Sequence, residues 1–127
     1  MISALILDDE PSAINTLQLM LKRYVPEITS LATCHRPDDA VQQVAAQHPD
    51  LVFLDIQMPV TNGFRWLSQL PVVDFDIIFT TAYDQFAIQA IRFSALDYLL
   101  KPIDAGELRA AADRYLYKRK QHQTRAD

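Results

Sequence analysis

The chain has 127 residues, with 12 Lys plus Arg against 16 Asp plus Glu, a net charge of -4 and one cysteine. That length suits a single domain able to bury a core without disulfides or structural metal, and the acidic balance argues against nucleic-acid binding by this segment itself. Cys34 alone excludes an intrachain disulfide and fits a reducing compartment. No apolar stretch approaches the roughly 20 residues of a membrane helix, and Met1-Ile2-Ser3 carries no cationic signal region, so a soluble, cytoplasmic protein with no membrane contact is expected.

The first apolar run, Ala4-Leu5-Ile6-Leu7, predicts a strand near residues 3–8 that ends on Asp8 and Asp9. Behind Pro11, which a first helical turn tolerates, Ile14, Leu17, Leu21 and Tyr24 recur at offsets of three and four and predict a helix. A second, more polar strand follows near 28–34. Pro37, with Asp38 and Asp39, opens a helix carrying Ala40, Val41 and Val44 on one face. Leu51-Val52-Phe53-Leu54 forms the third strand, 51–55, ending on Asp55, and Phe64 with Leu67 marks a short helix. Residues 76–81 predict the fourth strand, Phe86, Ala87, Ala90 and Ile91 the fourth helix, and 97–100 the fifth strand. Asp104 and Glu107 have the spacing of a capping box for the last helix, which Gly106 weakens. From Tyr117-Lys118-Arg119-Lys120 onward the apolar spacing is lost. The helix is therefore expected to fray, giving one domain over 1–121 and the start of a linker over 122–127.

Strands alternating with helices predict an α/β fold: a doubly wound, five-stranded parallel sheet in the order 2-1-3-4-5, with five helices. Its ligand crevice lies between strands 1 and 3, where Asp8, Asp9 and Asp55 fall, with Thr81 and Lys101 near the ends of strands 4 and 5. Carboxylates gathered there would repel one another unless a cation sat among them, and hard oxygen donors suit Mg²⁺. Singly, each residue has a plainer role. Asp8, Asp9 and Glu10 could cap the first helix, Asp55 could belong to a turn, and Lys101 could be solvated. Thr81 could cap the fourth helix, Thr80 competes with it for the hydroxyl role, and Tyr98 could simply pack.

Four segments in order resemble the two-component response-regulator receiver domain over nearly the whole chain. Leu7-Asp8-Asp9-Glu10 matches its acidic pair, Leu54-Asp55-Ile56-Gln57-Met58-Pro59 its phosphoacceptor loop, Thr80-Thr81-Ala82 its hydroxyl position, and Asp97-Tyr98-Leu99-Leu100-Lys101-Pro102 its final strand. The resemblance implies a flavodoxin-like fold in which Asp55 takes a phosphoryl group from the phosphohistidine of a sensor histidine kinase, forming an acyl phosphate rather than turning over small substrates. It implies Mg²⁺ bound by Asp9, Asp55 and the backbone carbonyl of Gln57, with Asp8 acting through water, and Lys101 paired with the phosphoryl group. Thr81 and Tyr98 would switch the surface of helix 4, strand 5 and helix 5, and phosphorylation would favour a homodimer. The Lys101-Pro102 bond would be cis. Ser94 stands where many members have glycine, so a left-handed turn there would be strained, and Asn62 replaces a common acidic residue.

The run from Thr80 to Ile88, with Leu99 to Pro102, looks most like receivers preceding a LytTR-type DNA-binding domain. This implies regulation of transcription, with DNA reached only through an output domain that is not in this chain. A stand-alone receiver acting by docking is the alternative. A Mg²⁺-dependent aspartyl-phosphate phosphatase of the haloacid-dehalogenase kind is a further one, but it requires Asp-x-Asp where this chain has an adjacent pair. An FMN-binding flavodoxin would need a hydroxyl- and glycine-rich loop in place of Asp8-Asp9-Glu10. His35, His48 and His122 lack metal-ligand spacing, Trp66 reads as helix packing, and Lys118-Arg119-Lys120 reads as a solvated helix end.

Overall fold

Each apolar run becomes a strand. β1 (Ile2–Leu7), β2 (Ile28–Cys34), β3 (Leu51–Asp55), β4 (Asp76–Thr81) and β5 (Asp97–Leu100) alternate with α1 (Pro11–Tyr24), α2 (Pro37–Gln47), α3 (Gly63–Ser68), α4 (Ala87–Arg92) and α5 (Ala105–Ala126). All strands are parallel in the order β2-β1-β3-β4-β5, the expected doubly wound α/β sheet. The computed structural model describes residues 1–126.

Alternation along the strands divides the core between two faces. Ala4 and Ile6 of β1 pack with Leu17 and Leu21 of α1 and Leu108 and Ala111 of α5. Leu5 and Leu7 face the other way, toward the cluster holding Ala40 of α2, Trp66 of α3 and Ala90 of α4. With helices on both faces, the strands need apolar residues at every position, which explains their continuous runs. Burying side chains such as Phe53 and Ile78 contributes roughly 1.5–3 kcal/mol each. β1 closes at Leu7, leaving Asp8 and Asp9 in the loop beyond. Because the strands are parallel, this loop, Asp55, Thr81 and Lys101 share one edge of the sheet.

Two helices differ in detail from their expected faces. Val25, just past α1, is buried in place of Tyr24, whose ring instead lies beneath the Arg23 guanidinium at 5.5 Å. On α4, only Ala90 is buried, and Ile91 is 73% exposed, because six residues cannot turn two apolar rows inward.

The chain beyond Tyr117 does not fray where fraying was expected: α5 continues to Ala126, so 122–126 is helical, and residue 127 lies outside the described residues. Lys, Arg and Gln form helices readily without a core face. Ion pairs also tie this stretch to the far edge of the sheet. Lys118 pairs with Asp76, Arg119 with Asp50 at 3.5 Å, and Arg119 donates to the Tyr115 hydroxyl and the Met1 carbonyl. The basic run is therefore not simply a solvated end. At the start of α5, Asp104 Oδ2 accepts the Glu107 N–H at 3.0 Å, the forward half of the expected capping box.

Ser94 has the left-handed backbone anticipated for it, with φ 58. Its N–H reaches the Ile91 carbonyl at 2.9 Å and the Ala95 N–H reaches that of Ala90 at 3.1 Å, the paired bonds of a Schellman ending for α4. A side chain in this conformation costs about 1 kcal/mol relative to glycine. Ser94→Gly should stabilise the domain by about that amount, raising the urea midpoint without changing the slope. A lower midpoint would contradict the strain argument.

Candidate functional site

The loop after β1 carries Asp8 and Asp9, and β3 ends on Asp55; one oxygen from each lies within 4.8 Å of the others. Asp8 and Asp55 are each only 3% exposed. Lys101, just beyond β5, sets its Nζ 2.7 Å from Asp8 Oδ2 and 3.5 Å from Asp55 Oδ1. Asp8 Oδ1 accepts the Glu10 N–H at 2.9 Å, so both Asp8 oxygens have protein partners. Asp9 Oδ1, by contrast, is buried with no hydrogen-bond partner. Buried polar atoms are rarely left in this state, and an orphaned carboxylate oxygen beside two further carboxylates fits a hard divalent cation. Helix capping does not explain the cluster, because the N-cap of α1 is Glu10 and no side chain bonds there as a cap.

Burial raises the Asp55 carboxyl from 3.8 to about 8; the charge of Asp8 adds to this, Lys101 opposes it, and Asp9 adds further. Burial works against the Lys101 ammonium, but hydrogen bonding to Asp8 and the charge of Asp55 outweigh it and hold the group above its ordinary value. A carboxyl raised on folding contributes stability that is complete below its unfolded pKa and lost as pH rises through the folded one. In EDTA, therefore, the native chain should lose about 2–4 kcal/mol between pH 5 and pH 8.5 relative to Asp55→Asn. Mg²⁺ should restore most of it, because the cation favours the ionised carboxylates. Parallel urea-midpoint profiles for the two proteins in EDTA would contradict this.

Thr81 ends β4 fully buried, and its Oγ1 accepts the Tyr83 N–H at 3.2 Å. The Tyr98 hydroxyl donates to the Tyr83 carbonyl. Thr81 therefore secures the turn after β4 rather than capping α4, and both hydroxyls converge on one residue. The Thr81 carbonyl also accepts the Lys101 N–H at 2.7 Å, tying the ends of β4 and β5 together. Thr80, the other hydroxyl candidate, lies opposite Asp55 in the ladder, and its carbonyl accepts the Ile56 N–H at 3.1 Å.

The loop after Asp55 is constrained at several points. Gln57 bridges to Asn62, whose Oδ1 caps α3 by accepting the Arg65 N–H at 2.9 Å, and Gly63 donates to the Ile56 carbonyl at 2.8 Å. Fully exposed Val60 has φ 71, a conformation that a β-branched residue rarely adopts. Sequence reasoning did not identify Val60, and the only available signal was its place after Pro59, where a turn would favour glycine. The Lys101-Pro102 bond is cis, as the resemblance implied. Trp66 is buried and its indole N–H donates to the Pro37 carbonyl, so it packs as expected. Cys34 is buried, and burial pushes its thiol up, away from nucleophilic behaviour.

The model of the response regulator receiver domain family matches residues 4–113, and the chain belongs to that family. An uncharacterized response regulatory protein of Vibrio cholerae is 39% identical over 121 residues, covering 94% of this chain and 51% of that protein. The sensory transduction protein LytT of Bacillus cereus is 38% identical over 125 residues, covering 97% and 50%. Among solved structures, the REC domain of AraT, a response regulator from Geobacillus stearothermophilus, matches with a TM-score of 0.80 and 28% identity, covering 95% of this chain and 97% of that one. The chain spans about half the length of the curated relatives it matches. Receiver domains are signalling domains that hold Mg²⁺ in an acidic pocket, and the three-Asp cluster fits that role. Among the described residues, no helix is long and apolar enough to cross a membrane.

Proposed function

We propose that Asp55 is the phosphoacceptor of this receiver, taking its phosphoryl group from a sensor histidine kinase. The observation that carries this is Lys101 Nζ set between two buried carboxylates, beside the orphaned oxygen of Asp9. Asp9, Asp55 and the Gln57 carbonyl would hold Mg²⁺, with Asp8 contributing through water because its own oxygens are already engaged. When bound, the ion supplies positive charge to the phosphoryl oxygens. Lys101 supplies the protein's own cation, and a carboxylate nucleophile needs no general base.

Thr81 would leave the Tyr83 N–H to reach a phosphoryl oxygen, and the Tyr83 carbonyl held by Tyr98 would carry that movement to α4 and β5. An apolar groove of about 250 Å³, lined by Ala13, Leu17, Met20 and Ile103 beside Lys101, supports kinase docking at this end of the sheet. Exposed Ile88, Ile91 and Leu100 support a homodimer through α4, β5 and α5. Likeness to LytT, a protein about twice as long, supports control of a LytTR-type DNA-binding output domain in the cytoplasm over stand-alone docking.

Intact mass after incubation with acetyl phosphate tests the acceptor role. One phosphoryl adduct is expected on the native chain with Mg²⁺, and none with EDTA or on Asp55→Asn. An adduct that persists in Asp55→Asn would move the chemistry to another residue, and continued turnover of a phosphate ester would favour a phosphatase.

A further inference from the structure

We propose that the groove between the β2–α2 and β3–α3 loops seats small anionic phosphodonors of the acyl phosphate class, with Arg36 and Arg65 drawing them in and orienting them. This rests on the reading of Asp55 as phosphoacceptor. The groove encloses about 760 Å³ and runs from Asp9, in the carboxylate cluster, past Arg36 and Asp38 to Pro59, Arg65 and Gln69. It therefore meets the cluster that would hold Mg²⁺ at Asp9, and its volume is of the size that small ligands occupy.

The need for such cations follows from the charge around the site. A dianionic donor approaching this edge meets Asp8, Asp9 and Asp55, with Glu10 in the adjoining loop and Asp38 and Asp39 in the first turn of α2, on a chain of net charge -4. Lys101 cannot meet the donor at a distance, because it is already paired within the cluster. Arg36 and Arg65 line the groove instead. The Arg36 side chain is 68% exposed and its pairing with Asp39 is loose, at 3.8 Å. Arg65 makes no ion pair among the described residues. Both guanidinium groups thus keep charge and donors available, and their planar fork suits two phosphate oxygens. Transfer itself is unchanged. An Asp55 oxygen bonds to phosphorus as the bond from phosphorus to the acyl oxygen breaks, and the carboxylate leaves with the electron pair.

The test compares initial rates of phosphorylation by acetyl phosphate with Mg²⁺ for the native chain, Arg36→Gln with Arg65→Gln, and Arg36→Lys with Arg65→Lys. At limiting donor and low ionic strength the Gln pair should be about five- to tenfold slower, with little change at saturating donor, and the Lys pair should keep most of the native rate. The difference should shrink in about 0.5 M KCl and be smaller with phosphoramidate, whose leaving group is neutral. A Gln pair as fast as the native chain at low salt would overturn the proposal. So would a loss that persists at saturating donor and in salt, since that would assign the arginines a merely structural role. If the native chain accepted no phosphoryl group from either donor, the Asp55 reading would fall first, and this inference with it.

Discussion

Lys101→Met should slow Mg²⁺-dependent phosphorylation of Asp55, the proposed acceptor, by about 10²–10³-fold, the usual loss when one preorganised charge-stabilising group is removed. Phosphoryl transfer passes through a loose transition state with charge spread over the equatorial oxygens, so positioning and neutralisation carry most of the catalysis. Lys101 is the only cationic side chain within ion-pair distance of Asp55 among the described residues. The same substitution should reduce stability in EDTA at pH 8 by about 2–3 kcal/mol, because it leaves buried Asp8 and Asp55 facing each other without a cation. Added Mg²⁺ should restore most of the stability but little of the rate. That separation distinguishes a group acting on the phosphoryl oxygens from one that only holds the carboxylates apart. Lys101→Arg should rescue poorly, since a planar guanidinium cannot replace a compact ammonium between two carboxylates. Rates from intact mass and urea midpoints with and without Mg²⁺ provide both readings. A native rate in Lys101→Met would remove Lys101 from the mechanism.

The sequence was most legible where covalent order and fold geometry coincide. Asp8, Asp9, Asp55, Thr81 and Lys101 each stand at or just beyond the end of an apolar run. A parallel sheet puts all such ends on one edge, so chain order alone implies their assembly. The strain at Ser94 was legible in the same way, from a side chain where the turn favours glycine. Contacts between distant segments were not legible. No local pattern announces that Arg109 of α5 grips Glu27 through two bonds of 2.8 Å, holding that carboxyl near 2, or that Lys118 pairs with Asp76. The Lys118 pair helps explain why α5 persists past the point where its apolar spacing stops. The convergence of Thr81 and Tyr98 on Tyr83 also depends on how two strand ends meet across space.

Gly63→Ala should be far more disruptive than Gly106→Ala, although each adds one methyl group. A Cβ there would lie 2.8 Å from the backbone oxygen of Asp55, 3.2 Å from Leu54 Cγ and 3.3 Å from Ile56 Cα. The first contact is with backbone, so no side-chain rotation can relieve it. Either the start of α3 moves outward, stretching the 2.8 Å bond from the Gly63 N–H to the Ile56 carbonyl, or the Asp55 carbonyl is displaced. Glycine is required here for close approach rather than for an unusual backbone angle, because no glycine in the described chain has positive φ. Overpacking of this kind costs about 1–3 kcal/mol. The functional loss should exceed what that destabilisation explains, since a shift approaching 1 Å at a reacting group can cost on the order of 10²-fold. Phosphorylation of the folded variant, measured well below its urea midpoint, should therefore fall at least about tenfold at saturating donor, whereas Gly106→Ala should leave the rate unchanged. The added Cβ at Gly106 would meet only the carboxylate end of the Asp104 side chain, at 3.0 Å, and no backbone atom. A Gly63→Ala protein that phosphorylates at the native rate would mean that the acceptor loop tolerates displacement, and that the geometry around Asp55 is set by the strand alone.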